Sequence, residues 1–175
     1  EINPAEVGAE LTNLKQVVRD SLQEIRRIIF NLRPMTLDDL GLIPTVKRYL
    51  SELENSSQIR LEVNCVEFRM PNAYEVAFFR LIQESITNAR KHAEASLIKV
   101  VIDVVDQEFK VEICDNGKGF NLEKVLTETA GKESFGILSM KERFELLAGK
   151  LEINSSLGIG TQIKASIPLK EALQN

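Results

Sequence analysis

The sequence predicts an α+β fold, a two-layer α/β sandwich with one mixed sheet and helices on one face, preceded by a long coiled-coil-like helix. Two observations carry the sandwich. Short segments in which apolar and polar residues alternate with a period of two are interleaved with segments of helical period, and glycine or polar turns separate them. A third observation adds the leading helix: a heptad-like apolar seam runs through residues 9–33 and stops at Pro34.

In that seam Leu11, Leu14, Val18, Ser21, Ile25, Ile28 and Leu32 alternate spacings of three and four, with only Ser21 polar. Charged residues such as Lys15, Arg19, Glu24 and Arg27 fill the other faces, so the helix is expected to be wet on one side and to seek a partner on the other. Residues 32–42 (Leu-Arg-Pro-Met-Thr-Leu-Asp-Asp-Leu-Gly-Leu) predict a kinked connector, and a second helix follows from about Ile43 to Leu53. The chain thus divides into residues 1–35 and 36–175.

Ile59, Leu61, Val63 and Cys65 alternate with polar residues as in a half-buried strand. Pro71-Asn72 then opens a helix from about Ala73 to His92. On it Ile82, Ile86, Ala89 and Ala93 mark one stripe and Glu84, Asn88 and Lys91 another; at about 100° per residue the two face opposite ways. Ile98 to Val104 and Phe109 to Ile113 make a hairpin turning at Asp106-Gln107-Glu108. After Asp115-Asn116-Gly117-Lys118-Gly119-Phe120 the polar stretch Asn121 to Ser134 has no period and predicts a mobile loop. A helix from about Ile137 to Leu147 is expected to end on a left-handed Gly149, and Leu151 to Ser155, a turn at Gly158 and Gly160, and Thr161 to Ile167 close the fold as a hairpin.

Composition excludes several functions. With 22 Lys and Arg against 26 Asp and Glu in 175 residues the formal charge is −4, so no basic footprint for direct nucleic-acid binding covers the chain. The longest strictly apolar run, Val76 to Phe79, is far short of the roughly 20 residues of a membrane span, and no signal segment opens the sequence, which predicts a soluble, cytoplasmic stretch. Cys65 and Cys114 lie in separate strand patterns and read as reduced core thiols. The single histidine, His92, excludes any site that needs two imidazoles.

Three groups of residues carry chemistry. Glu84, Asn88 and Lys91, joined by neighbouring His92, offer a carboxylate, an amide oxygen and a cation within two turns of one helix, suited to a magnesium ion and a polyphosphate; magnesium keeps several of its waters, so Asn88 suffices as the one direct ligand. The plain alternative is a solvated helix face. Asp115-x-Gly117-x-Gly119 at a strand end lets backbone approach a flat ligand while the carboxylate accepts from an exocyclic amine such as that of adenine; the alternative is an ordinary turn. Gly136-Ile137-Leu138 at a helix start and Gly158-x-Gly160-Thr161 offer free N–H groups to an anion, or merely a capped helix and a glycine turn.

Taken in order, these motifs resemble the ATP-binding domain of two-component sensor histidine kinases, in the family shared with gyrase, Hsp90 and MutL ATPases. Residues 83–93 resemble its N box, Asp115 to Phe120 its G1 box, and Phe135 to Arg143 with Gly158 to Thr161 its later glycine boxes; the likeness spans residues 40–169. Ser139 departs from it, standing where the family usually has glycine before Met140. The connector resembles that of the subfamily paired with response regulators of the NarL and LuxR type.

The resemblance implies magnesium on Asn88, Glu84 as polar or basic helper of transfer, Asp115 on the adenine amine and Thr161 near it through water. It also implies Lys91 and His92 beside the phosphates, Lys132 reaching them from a lid, and Gly117, Gly119, Gly136, Ile137, Leu138 and Gly160 around the nucleotide. Residues 9–33 become the second helix of a dimerising, phosphoaccepting hairpin whose first helix, with its acceptor histidine, is absent from this sequence. The implied activity is transfer of the γ-phosphoryl group of Mg-ATP to that histidine within a homodimer, and onward to an aspartate of the regulator. Two alternatives stay open: an ATP-hydrolysing switch of the gyrase or Hsp90 type, with Glu84 activating water, and a non-catalytic nucleotide-binding scaffold.

Overall fold

A computed structural model describes residues 14–15, 35–53, 58–127 and 132–172. Most of the predicted leading helix, and with it the seam from Leu11 to Leu32, lies outside these residues; Leu14 and Lys15 are helical. Two short helices, α1 (Met35–Leu40) and α2 (Leu42–Ser51), are followed by β1 (Gln58–Val63), α3 (Asn72–Lys91), β2 (Leu97–Val105) and β3 (Glu108–Asp115). Then come α4 (Leu122–Thr127), α5 (Lys132–Glu145), β4 (Lys150–Ser156), β5 (Gly160–Pro168) and α6 (Leu169–Ala172).

The strands form one mixed sheet in the order β1-β2-β3-β5-β4. β1 runs parallel to β2, as the intervening α3 requires, and the other neighbours are antiparallel. Alternation puts Ile98, Val100 and Ile102 of β2, Phe109, Val111 and Ile113 of β3 and Ile163, Ala165 and Ile167 of β5 on the face the helices cover. Phe78 of α3 lies edge-on between Phe109 and Phe144, at ring separations of 4.8 and 5.1 Å, and so joins sheet, α3 and α5. The opposite face carries cross-strand polar contacts such as Lys99 to Glu62 at 3.0 Å and Gln162 to Glu112 at 2.6 Å. This is the predicted sandwich.

Several elements differ from expectation. The connector contains a helix of its own, α1, whose Leu37 is fully buried; the kink falls at Gly41, with φ +84°, where a Cβ would lie 2.8 Å from Arg69 Cδ. The hairpin turn takes two residues, Asp106 and Gln107, both left-handed, and Glu108 is already paired with Val105. Residues 122–127 of the predicted loop are helical, because Asn121 Oδ1 caps the turn by accepting from Lys124 N–H at 3.0 Å.

The following helix starts at Lys132, so Gly136 lies inside α5 and the predicted anion site at a helix start there is corrected: the free N–H groups belong to earlier residues. At the far end the left-handed residue is Ala148, not Gly149. Ala148 N–H donates to Glu145 and Gly149 N–H to Phe144, a Schellman end, and glycine is needed at 149 because a Cβ would come within 2.8 Å of Ile167 Cγ2.

A buried charge ties the connector to the sandwich. Glu75, wholly buried in the first turn of α3, accepts from Arg69 Nε at 3.0 Å and from Met70 N–H at 3.0 Å, while the Arg69 guanidinium also donates to the Leu37 and Asp38 carbonyls of α1. Arg69→Ala leaves that carboxylate without its cation and is expected to cost about 2–3 kcal/mol in urea unfolding. Arg69→Met with Glu75→Leu, which removes both charges, should recover most of the loss. Equal stability of Arg69→Ala and the parent chain would contradict the tie.

Candidate nucleotide-binding site

Among the described residues a cavity of about 240 Å³ opens between the C-terminal half of α3, the loop after β3, and α4 and α5, with the sheet as its floor. α3 contributes Ser85, Asn88, Ala89, Lys91 and His92; the strand end and loop contribute Asp115, Lys118, Gly119 and Phe120; Thr161 enters from β5. Ile113, Ile153 and Ile163 floor it and Val125, Ile137 and Met140 wall it, a mostly apolar slot with a few convergent polar groups, as small-molecule sites commonly are.

Backbone proximity explains the glycines. Gly117 abuts Ala93, with Lys118 N–H donating to the Ala93 carbonyl at 2.9 Å, so the loop is pinned to the end of α3. Gly119 (φ +60°) faces the Ser156 carbonyl, and Gly160 (φ +112°) faces that of Asp115; at both a Cβ would fall 2.1 Å from the oxygen. Asp115 Oδ1 accepts from Gly117 N–H at 2.8 Å, and Asp115 and Thr161 are direct partners in the β3–β5 register. Thus two residues 46 positions apart in sequence share one wall of the cavity because the strands carrying them are neighbours.

Of the residues singled out in the sequence, the structure brings Asn88, Lys91, His92, Asp115, Gly119, Ile137 and Thr161 together around the cavity. Gly117 and Gly160 stand just behind, supporting the loop and the strand. Glu84 does not line it: its carboxylate lies on α3 beside Gly136, where a Cβ would be 2.9 Å from Glu84 Oε1, so Gly136 lets α5 approach the acid. Leu138 is 43% exposed and also outside the lining. Lys132 begins α5, and its side chain is outside the described residues.

The apolar floor and Asn116 escape sequence reasoning. Asn116 Oδ1 accepts from Ser96 N–H at 3.1 Å and Leu97 N–H at 2.9 Å, and its Nδ2 donates to Ser96 Oγ, fastening the loop to the start of β2. The strand period marks Ile113, Ile153 and Ile163 as inward; nothing in it says which end of the core is left open. The two stripes of α3 also meet at the cavity, since Ala89 of the apolar one and Asn88 of the polar one both line it.

Cys114, next to Asp115, has its thiol pushed up by burial and by its contact to Glu112 Oε1 at 3.4 Å, and so stays protonated and unreactive. Burial likewise raises the Tyr49 hydroxyl on α2, against the opposing hydrogen bond from Thr87 on α3. Among the described residues no group of three or more His, Cys, Asp or Glu could hold a metal ion. Any divalent ion at this cavity would rest on the Asn88 amide oxygen, with water and ligand oxygens supplying the rest, a donor set magnesium accepts.

Residues 73–171, from the first turn of α3 into α6, match the family described as histidine kinase-, DNA gyrase B- and HSP90-like ATPase. The chain belongs to this ATPase family. The match covers every wall of the cavity, and α1 and α2 precede the ATPase domain. The chain is 45% identical, over 91% of its length, to the signal transduction histidine-protein kinase/phosphatase DegS of Brevibacillus brevis, and 44% identical, again over 91%, to DegS of Bacillus subtilis. It spans 41% and 42% of those two proteins. The histidine kinase domain of the Erythrobacter litoralis EL346 blue-light activated kinase shares the fold at a TM-score of 0.58, with 18% identity over 74% of this chain and 60% of that one.

Proposed function

We propose that this ATPase-family chain is the nucleotide-binding and catalytic part of a DegS-like sensor histidine kinase, taking Mg-ATP in the cavity and passing its γ-phosphoryl group to a histidine on a dimerisation helix. The observation that carries it is the Asp115–Thr161 register pair facing one end of an apolar slot, with Asn88, Lys91 and His92 along the helix beside it. Asp115 offers carboxylate oxygen to an exocyclic amine, and the isoleucine floor accepts a flat ring. Lys91, exposed at the end of α3, and Lys118 on the loop bring positive charge to the phosphate end, and the imidazole of His92, exposed beside Lys91, offers a ring N–H there. Lys132 is assigned to the same task from the start of α5.

Magnesium, when bound, would supply neutralisation of the polyphosphate charge. Asn88 would hold it by one amide oxygen, and Glu84, a turn earlier and outside the cavity lining, is assigned as the polar or basic helper of transfer. Phosphoryl transfer asks little covalent work of a protein, so positioning and charge supply most of the rate. Residues 1–35 are assigned to the second helix of the dimerisation hairpin in a homodimer, and residues 36–175 to the catalytic domain. A regulator of the NarL and LuxR type is the onward acceptor, and the site faces the cytoplasm. No helix among the described residues is long and apolar enough to cross a membrane.

Calorimetry should show ATP binding that strengthens with magnesium. Labelled ATP should leave no acid-labile label on this chain, because His92, its only histidine, is fixed at the end of α3 in the cavity wall and cannot swing in line with a leaving group. A separate dimerisation hairpin carrying a histidine, added in trans, should become labelled. Acid-labile phosphate mapped to His92, or steady phosphate release without transfer, would overturn the kinase reading.

A further inference from the structure

We propose that Ser155 is a positioning residue that turns the hydroxyl proton of Thr161 away from the cavity, making Thr161 an acceptor only and sharpening selection for a ligand edge that donates. The assignment rests on the nucleotide reading and adds to it a residue outside the cavity lining. Ser155 and Thr161 are direct partners in the β4–β5 register, so Asp115, Thr161 and Ser155 form a row across three strands on the helix-covered face.

The direction of each bond follows from satisfying every contact at once. A serine hydroxyl has one proton to give and two lone pairs to receive. Ser155 Oγ lies 3.0 Å from Phe120 N, which can only donate, and 3.1 Å from the Gly160 carbonyl, which can only accept. The one assignment that makes all three contacts hydrogen bonds gives the Ser155 proton to Gly160, and the third contact, 3.0 Å to Thr161 Oγ1, is then donated by Thr161. The Thr161 hydroxyl is left with lone pairs alone for the cavity, beside the Asp115 carboxylate, which likewise only accepts.

That end of the slot favours a purine bearing an exocyclic amine and repels one bearing a carbonyl there. ATP and inosine triphosphate differ at this position by amine against carbonyl, and they are the probes. In Ser155→Ala the Thr161 proton is released and can turn to the carbonyl, so the ratio of ATP to inosine triphosphate affinity, read by calorimetry on the whole chain, is expected to fall about fivefold, the worth of one neutral hydrogen bond. Ser155→Thr, which keeps the hydroxyl, should restore the ratio. In a Thr161→Val background Ser155→Ala should leave the ratio unchanged, since Ser155 acts through Thr161.

A merely structural role for Ser155 would lower both affinities together and leave the ratio at its parent value, which would overturn the assignment. So would a change in ratio that persists without the Thr161 hydroxyl. A parent chain that binds neither nucleotide would instead overturn the nucleotide reading, and this assignment with it.

Discussion

Asp115→Asn is expected to lower ATP affinity by roughly five- to a hundred-and-fiftyfold, the range that follows from about 1–3 kcal/mol for a mismatched polar group in a closed site. The change keeps the side chain's shape. Its amide oxygen can still accept from Gly117 N–H, the 2.8 Å bond that holds the loop, so the amide nitrogen is the group presented to the cavity. An N–H₂ then faces the ligand amine, donor against donor. Calorimetry with ATP checks the affinity, and an unchanged urea midpoint confirms that the loop is intact. Parent-like affinity in this variant would remove the adenine from that end of the slot.

Gly160→Ala should damage both fold and site. Its φ of +112° is one that side chains rarely adopt, and the new Cβ would stand 2.1 Å from the Asp115 carbonyl oxygen, a backbone atom that cannot rotate away. Either β5 separates from β3 at the pair that carries Asp115 and Thr161, or the Asp115 loop shifts. A loss of about 3 kcal/mol or more in stability and of measurable nucleotide binding is expected. Gly158→Ala is the control: it too has a positive φ, +79°, but nothing lies within 4 Å of its Cβ, so only the backbone strain of about 1 kcal/mol remains. Similar behaviour of the two variants would mean that the close approach at Gly160 is not what requires glycine.

Much of this molecule is written in its local pattern. The period of two in Ile98 to Val104 and Phe109 to Ile113 names both the strands and their inward residues, because a pleated strand sends alternate side chains to opposite faces. The helical period marks α3 to within a residue at each end. Asn88, Asp115 and the glycines are equally local signals, but each alone also reads as a solvated helix face or an ordinary turn, and it is their order along the chain that resembles the family. Local pattern failed where burial elsewhere decides the conformation. Leu37 makes a helix of the connector by entering the core, and α4, capped by Asn121 and with Leu122 and Val125 packed against the core, forms within a stretch of no period. α5 begins four residues before Gly136, because a glycine there serves the approach of Glu84 and not a helix end.

The sequence by itself determined the fold class, several of the residues that line the cavity, and the family to which the chain belongs. Only the tertiary structure decided which polar residues stand together. Asp115, Thr161 and Ser155 become a row through the β3–β5 and β4–β5 registers. Glu84, assigned to the site by its helical spacing from Asn88, turned out to face Gly136 instead of the cavity. The physical reason is range: periodicity reports which face of one element is buried, whereas a hydrogen bond between strands depends on register, which is set by every cross-strand contact at once.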